Sequence, residues 1–63
     1  METEKHYVRA FNTPAGAAVL EHLRSITFGR VLGANATDAE LRTLEGGRAL
    51  VRMIENMVKR GME

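Results

Sequence analysis

The sequence predicts an all-α fold in which two helices form an antiparallel hairpin and a short N-terminal segment packs across it. Apolar residues recur at spacings of three and four along most of the chain, which is the periodicity of an amphipathic helix. Two threonine-centred helix-start signals, at positions 13 and 37, divide the chain, and a segment with two glycines and an asparagine separates the helices. We treat residues 1–63 as a single small helical domain, because a chain of this length holds one core at most.

The first hairpin helix is predicted over about residues 14–27. Thr13 suits the N-cap, where its hydroxyl can accept a free backbone N–H, and Pro14 suits the first helical position, because its φ is already helical. One apolar stripe then follows, formed by Val19, Leu20, Leu23 and Ile26.

The second hairpin helix is predicted over about residues 38–60. Thr37 and Glu40 have the spacing of a capping box, and Asp38 places negative charge at the positive end of the helix. Gly61 is expected to end the helix in the left-handed conformation.

The remaining segments are expected to close the ends of the hairpin. Residues 28–36 form a connection whose apolar side chains, Phe28, Val31 and Leu32, should fold back onto the core. Residues 5–11 are predicted to form a short helix or turn that packs across the hairpin.

A mismatch in length predicts a surface for a partner. At 1.5 Å per residue the first helix is about 21 Å long and the second about 34 Å, so the last turns of the second helix extend beyond the first. Those turns carry a broad apolar arc that the N-terminal segment can cover only in part. We therefore predict that Tyr7, Phe11, Met53 and Met57 contribute to partner binding, although methionines at this spacing also fill ordinary cores.

Three glycines are predicted to allow close packing between the helices. Gly46 and Gly47 lie in the middle of the second helix, where each costs about 1 kcal/mol relative to alanine. Gly16 lies in the first turn of the facing helix, so small residues on both sides would let the backbones approach. The alternative is a functional kink at the glycine pair.

The charge pattern predicts solvated helix faces and one structural ion pair. Net charge is only +1, and acidic residues alternate with the cations of the second helix, which argues against a nucleic-acid surface. Glu45 and Arg48 are predicted to pair, and Arg48 could also hold the connecting segment through its backbone carbonyls. The apolar runs are too short to cross a membrane.

Neither an enzyme nor a cofactor or metal site is predicted. The chain has no cysteine, no G-x-S-x-G elbow and no phosphate-binding glycine loop. His22 beside Glu21 is read as a surface histidine. His6 with Glu2 and Glu4 could at most bind a metal weakly.

Two ordered motifs resemble a known family. The first is Phe11-x-Thr13-Pro14-x-Gly16-x-x-Val19-Leu20-x-x-Leu23, and the second is Glu45-Gly46-x-Arg48-x-Leu50-x-x-x-Ile54. Together they resemble the small Bbp19-like proteins of tailed bacteriophages, over about residues 7–60. The resemblance implies a compact helical protein from the head–portal gene neighbourhood, and it supplies no catalytic activity that could be carried over to this chain.

Two hypotheses for the function follow. The first is a non-enzymatic structural or virion-assembly protein that binds portal, capsid or tail proteins, or copies of itself. The second is a small phage regulator that inhibits a host protein or binds DNA. The expected location is the virion or the host bacterial cytoplasm, since the N-terminus has no apolar secretory segment.

Overall fold

The residues that the structure describes form three packed α-helices. A computed structural model describes residues 2–63, and α1 spans Glu2–Phe11, α2 spans Pro14–Thr27 and α3 spans Asp38–Met62. No strand occurs within these residues, which confirms the predicted all-α class. The molecule is elongated, 42 × 22 × 13 Å, because α3 with its 25 residues determines its long dimension.

The start of α2 depends on the predicted cap. The hydroxyl oxygen of Thr13 accepts the backbone N–H of Gly16 at 3.0 Å, and Thr13 itself is extended, with φ −136° and ψ 160°. Pro14 follows as the first helical residue. The observed bounds of α2 are those that the sequence predicts.

Thr37 starts α3 in a similar way. Its hydroxyl accepts the N–H of Glu40 at 3.1 Å. The same hydroxyl also lies 3.2 Å from the Glu40 carboxylate and donates to it, in place of the backbone contact that a capping box would make.

The end of α3 differs from the prediction. Gly61 is helical, α3 continues to Met62, and no described glycine has a positive φ. A glycine stands at position 61 because two helices approach closely there. A Cβ at Gly61 would lie 2.6 Å from the carbonyl oxygen of Glu4 and would overlap a methyl group of Val8. Gly61 therefore allows the middle of α1 to cross α3, and does not end the helix.

The hairpin of α2 and α3 is antiparallel. Thr27, at the end of α2, faces Gly47, whereas Arg24, one turn earlier, pairs with Glu55 further along α3. Helix α1 packs against both other helices, and more extensively against α3 than α2 does. The N-terminal helix is thus a full partner in the fold and is longer than the predicted segment of residues 5–11.

The core is very thin. Val51 is the one buried apolar side chain among the described residues, at 3% exposure. Large apolar side chains that are exposed are Val19, Ile26, Val31, Leu41, Leu50, Met53 and Met62.

Three of these exposed residues correct the sequence-based prediction. Val31 does not fold back onto the core, although Phe28 and Leu32 in the same connection are half-buried. Val19 and Ile26 are exposed, because the apolar stripe of α2 is wider than the side of α2 that packs against α3.

Candidate functional site

The outer face of α3, which we define as Gly46, Ala49, Leu50 and Met53, is the best candidate for a functional surface. These residues recur at spacings of three and four, so they share one side of the helix. All four are exposed, and Leu50 and Met53 retain 55% and 40% of their accessible surface. An open groove of about 360 Å³ runs along this side, and its lining includes Ala49, Met53 and Met57.

The four predicted partner-binding residues occupy different environments. Met53 is exposed and Met57 is half-buried in the groove on α3. Tyr7 and Phe11 are half-buried on α1, where their rings stack with centroids 6.3 Å apart and an interplanar angle of 22°. The lining of the groove includes neither ring, so the surface lies further towards the N-terminus of α3 than the sequence suggests.

The predicted glycine packing is partly wrong. Gly16 is buried, but its close neighbours are the backbone of Ala10 and Phe11 in α1, because α2 folds back against the end of α1. A Cβ at Gly47 would lie 3.2 Å from the Thr27 methyl group, which is a close contact between α2 and α3. Gly46 meets nothing within 4 Å and makes no close helix contact.

Arg48 holds the C-terminal end of α2 to α3. One guanidinium nitrogen lies 2.6 Å from Glu45 Oε1, which is the predicted ion pair. Its Nε donates to the carbonyl oxygen of Thr27 at 3.0 Å, and Nη2 donates to the carbonyl oxygen of Arg30 at 3.0 Å. A single side chain therefore bonds both the last residue of one helix and the start of the connection.

Arg48 and two further arginines lie around the ring of Phe28. The guanidinium carbons of Arg24 and Arg52 lie 4.8 Å and 5.3 Å from the ring centroid, and that of Arg48 lies 6.0 Å away. Arg24 also pairs with Glu55 at 2.8 Å. Sequence reasoning did not identify this cluster, because Arg24 and Arg52 meet at Phe28 only after the hairpin has folded.

A second open groove, of about 330 Å³, lies between the connecting segment and the first half of α3. Leu32, Ala39 and Leu44 contribute its apolar wall, and Arg30 and Glu40 lie at its edge. The lining of this groove thus carries one charge of each sign.

The comparison with protein families matches the two motifs of the sequence. The family model of the Bbp19-like phage proteins matches residues 7–60, which include most of α1, all of α2 and most of α3. The chain belongs to the Bbp19-like phage proteins. No curated protein and no solved structure matches it.

This Bbp19-like phage protein is therefore a bacteriophage protein, and its described residues form three helices. Over residues 2–63, no helix combines the length and the apolar character that crossing a membrane requires. The same residues contain no cluster of three or more histidine, cysteine, aspartate or glutamate side chains that could hold a metal ion.

Proposed function

We propose that this Bbp19-like phage protein is a non-enzymatic structural or virion-assembly protein, which acts by binding portal, capsid or tail proteins. The observation that carries the proposal is the distribution of apolar surface. One apolar side chain, Val51, is buried among the described residues, whereas seven large ones are exposed.

This distribution leaves little apolar burial to stabilise the protein when it is alone. Ordering a chain costs on the order of 1.5 kcal/mol per residue, and apolar burial is the main term that offsets it. A small helical protein that leaves Leu50 and Met53 exposed gains further stability when a partner covers them. In a symmetric particle many copies bind at once, so a modest single contact is sufficient.

The arginines support this proposal over the alternative of a DNA-binding regulator. Arg24 and Arg48 are paired with glutamates within the protein, and Arg52 lies over Phe28. Cations that are engaged in this way are less available to phosphates than a free basic stripe would be.

Mass spectrometry of purified virions and of particles stalled during assembly tests the proposal. We expect the protein in at least one of these samples, and we expect that deleting its gene lowers the yield of complete particles. Normal yield after deletion, with the protein found only early in infection and in no particle, would contradict the proposal and favour the regulator.

A further inference from the structure

We propose that the outer face of α3 binds an amphipathic helix with acidic flanks, contributed by another virion protein. This inference rests on the proposed function and specifies the chemistry of the partner. It follows from the spacing of the exposed residues, from the open space at Gly46 and from the charges beside the groove.

The spacing fits a second helix. Along the exposed side of α3, the positions that alternate by four and three residues are Arg42, Gly46, Ala49, Met53, Asn56 and Arg60. This is the seven-residue spacing with which one helix packs along another, and its two apolar side chains, Ala49 and Met53, lie in the middle. All six residues are exposed, so the seam is continuous over about five turns of α3.

No contact among the described residues explains why a glycine stands at position 46. A glycine in mid-helix costs about 1 kcal/mol relative to alanine. Each of the other helical glycines, Gly16, Gly47 and Gly61, has a neighbour that a Cβ would contact closely, whereas Gly46 faces open space. Beside Ala49, it leaves a gap into which a large side chain of a second helix fits.

The charges determine which helix fits. Arg42 and Arg60 lie at the two ends of the seam, and neither makes an ion pair within the described residues. Arg52 also lines the groove, but it lies over Phe28 and 3.9 Å from a carboxylate oxygen of Glu45, so Arg42 and Arg60 are the cations left for a partner. Carboxylates on the flanks of a partner helix would form ion pairs with these arginines.

The same charges disfavour a second copy of this chain. Arg42 and Arg60 lie nine residues either side of position 51, so they are equally far from the midpoint of the 42–60 stretch of α3. An antiparallel pair of α3 helices would therefore place Arg42 of one copy against Arg60 of the other at both ends. A parallel pair would place each arginine against itself. Like charges in these positions oppose association.

Two designed peptides provide the probe. Both are helices of about 20 residues with the same leucine and alanine seam, and they carry either glutamate or lysine on their flanks. We expect the full-length protein to bind the glutamate peptide at least about tenfold more tightly than the lysine peptide at low salt, with the difference decreasing as salt is added. Fluorescence anisotropy of the labelled peptides measures both affinities.

Matched variants locate the contact. Gly46→Leu and Met53→Gln should each weaken binding of the glutamate peptide by about tenfold. Leu41→Gln is the control, since Leu41 is similarly exposed, at 46%, on another side of α3. Reversing both end charges, Arg42→Glu with Arg60→Glu, should transfer the preference to the lysine peptide. Circular dichroism of each variant verifies that the fold is retained.

Four outcomes would overturn the inference: equal binding of both peptides, binding of neither, an equal loss in Leu41→Gln and Met53→Gln, or a dimer in light scattering that Met53→Gln abolishes. The last outcome would identify a second copy as the occupant. These results are independent of whether the protein is found in particles, so this inference and the proposed function can fail separately.

Discussion

The guanidinium Nε of Arg48 donates a hydrogen bond of 3.0 Å to the carbonyl oxygen of Thr27, the last residue of α2. Carbonyl groups in the last turn of a helix have no partner within that helix. Because the same side chain also bonds the carbonyl oxygen of Arg30 and the carboxylate of Glu45, it fixes the position at which the hairpin leaves α2.

Replacing Arg48 should therefore lower the free energy of unfolding. Arg48→Lys retains the charge but cannot donate in three directions from a planar group, so we expect a loss of about 1–3 kcal/mol in urea denaturation. Arg42→Lys is the control and should change stability by less than about 0.5 kcal/mol, because Arg42 is exposed and has no ion pair within residues 2–63. Equal stability of the two variants would show that the three bonds do not matter.

Gly46→Ala should stabilise the protein. The new methyl group meets nothing within 4 Å, so the helix gains propensity without a clash. We expect a gain of about 1 kcal/mol, which corresponds to a rise in melting temperature of about 5 °C. Gly47→Ala is the matched comparison and should gain less, because the Thr27 methyl group 3.2 Å away must shift. A loss of stability in Gly46→Ala would mean that this side of α3 is covered in solution.

Gly61→Ala should displace α1. A Cβ at this position would meet the backbone oxygen of Glu4 and a methyl group of Val8, and backbone atoms cannot shift without moving the helix. We expect a loss of about 1–3 kcal/mol and faster hydrogen exchange of the amides of α1. Unchanged exchange in α1, with Gly46→Ala measured alongside, would show that α1 does not depend on this crossing.

The parts of the fold that sequence reasoning predicted correctly are those that depend on residues close together in the sequence. Thr13 and Pro14 determine the start of α2 through local capping, so its bounds were predicted correctly. Gly61 was interpreted as a helix end because glycine often has that role, whereas its actual neighbours, Glu4 and Val8, are more than 50 residues away in the sequence.

The candidate site shows the same division. Met53 is exposed, as the sequence predicted, but the reason is the side of α3 on which it lies. The last turns of α3, which the length mismatch was expected to leave uncovered, are crossed by α1 at Gly61. Which side of Gly16 and Gly46 would be covered depended on how α1 and α2 lie against α3, and a helical wheel contains no such information. The cluster around Phe28 was missed for a similar reason.

Val51 is the residue at which the thin core can be tested most directly. Val51→Ala removes two methyl groups from the one buried apolar side chain among the described residues, so we expect a loss of about 1–3 kcal/mol in urea denaturation. Leu50→Ala removes more carbon from a side chain that is 55% exposed, and it should cost less than about 1 kcal/mol. The pair should be measured at two protein concentrations, because a partner copy that covered Leu50 would make its loss concentration-dependent. If Leu50→Ala costs as much as Val51→Ala in dilute solution, the two side chains are equally buried and the outer face of α3 is not open.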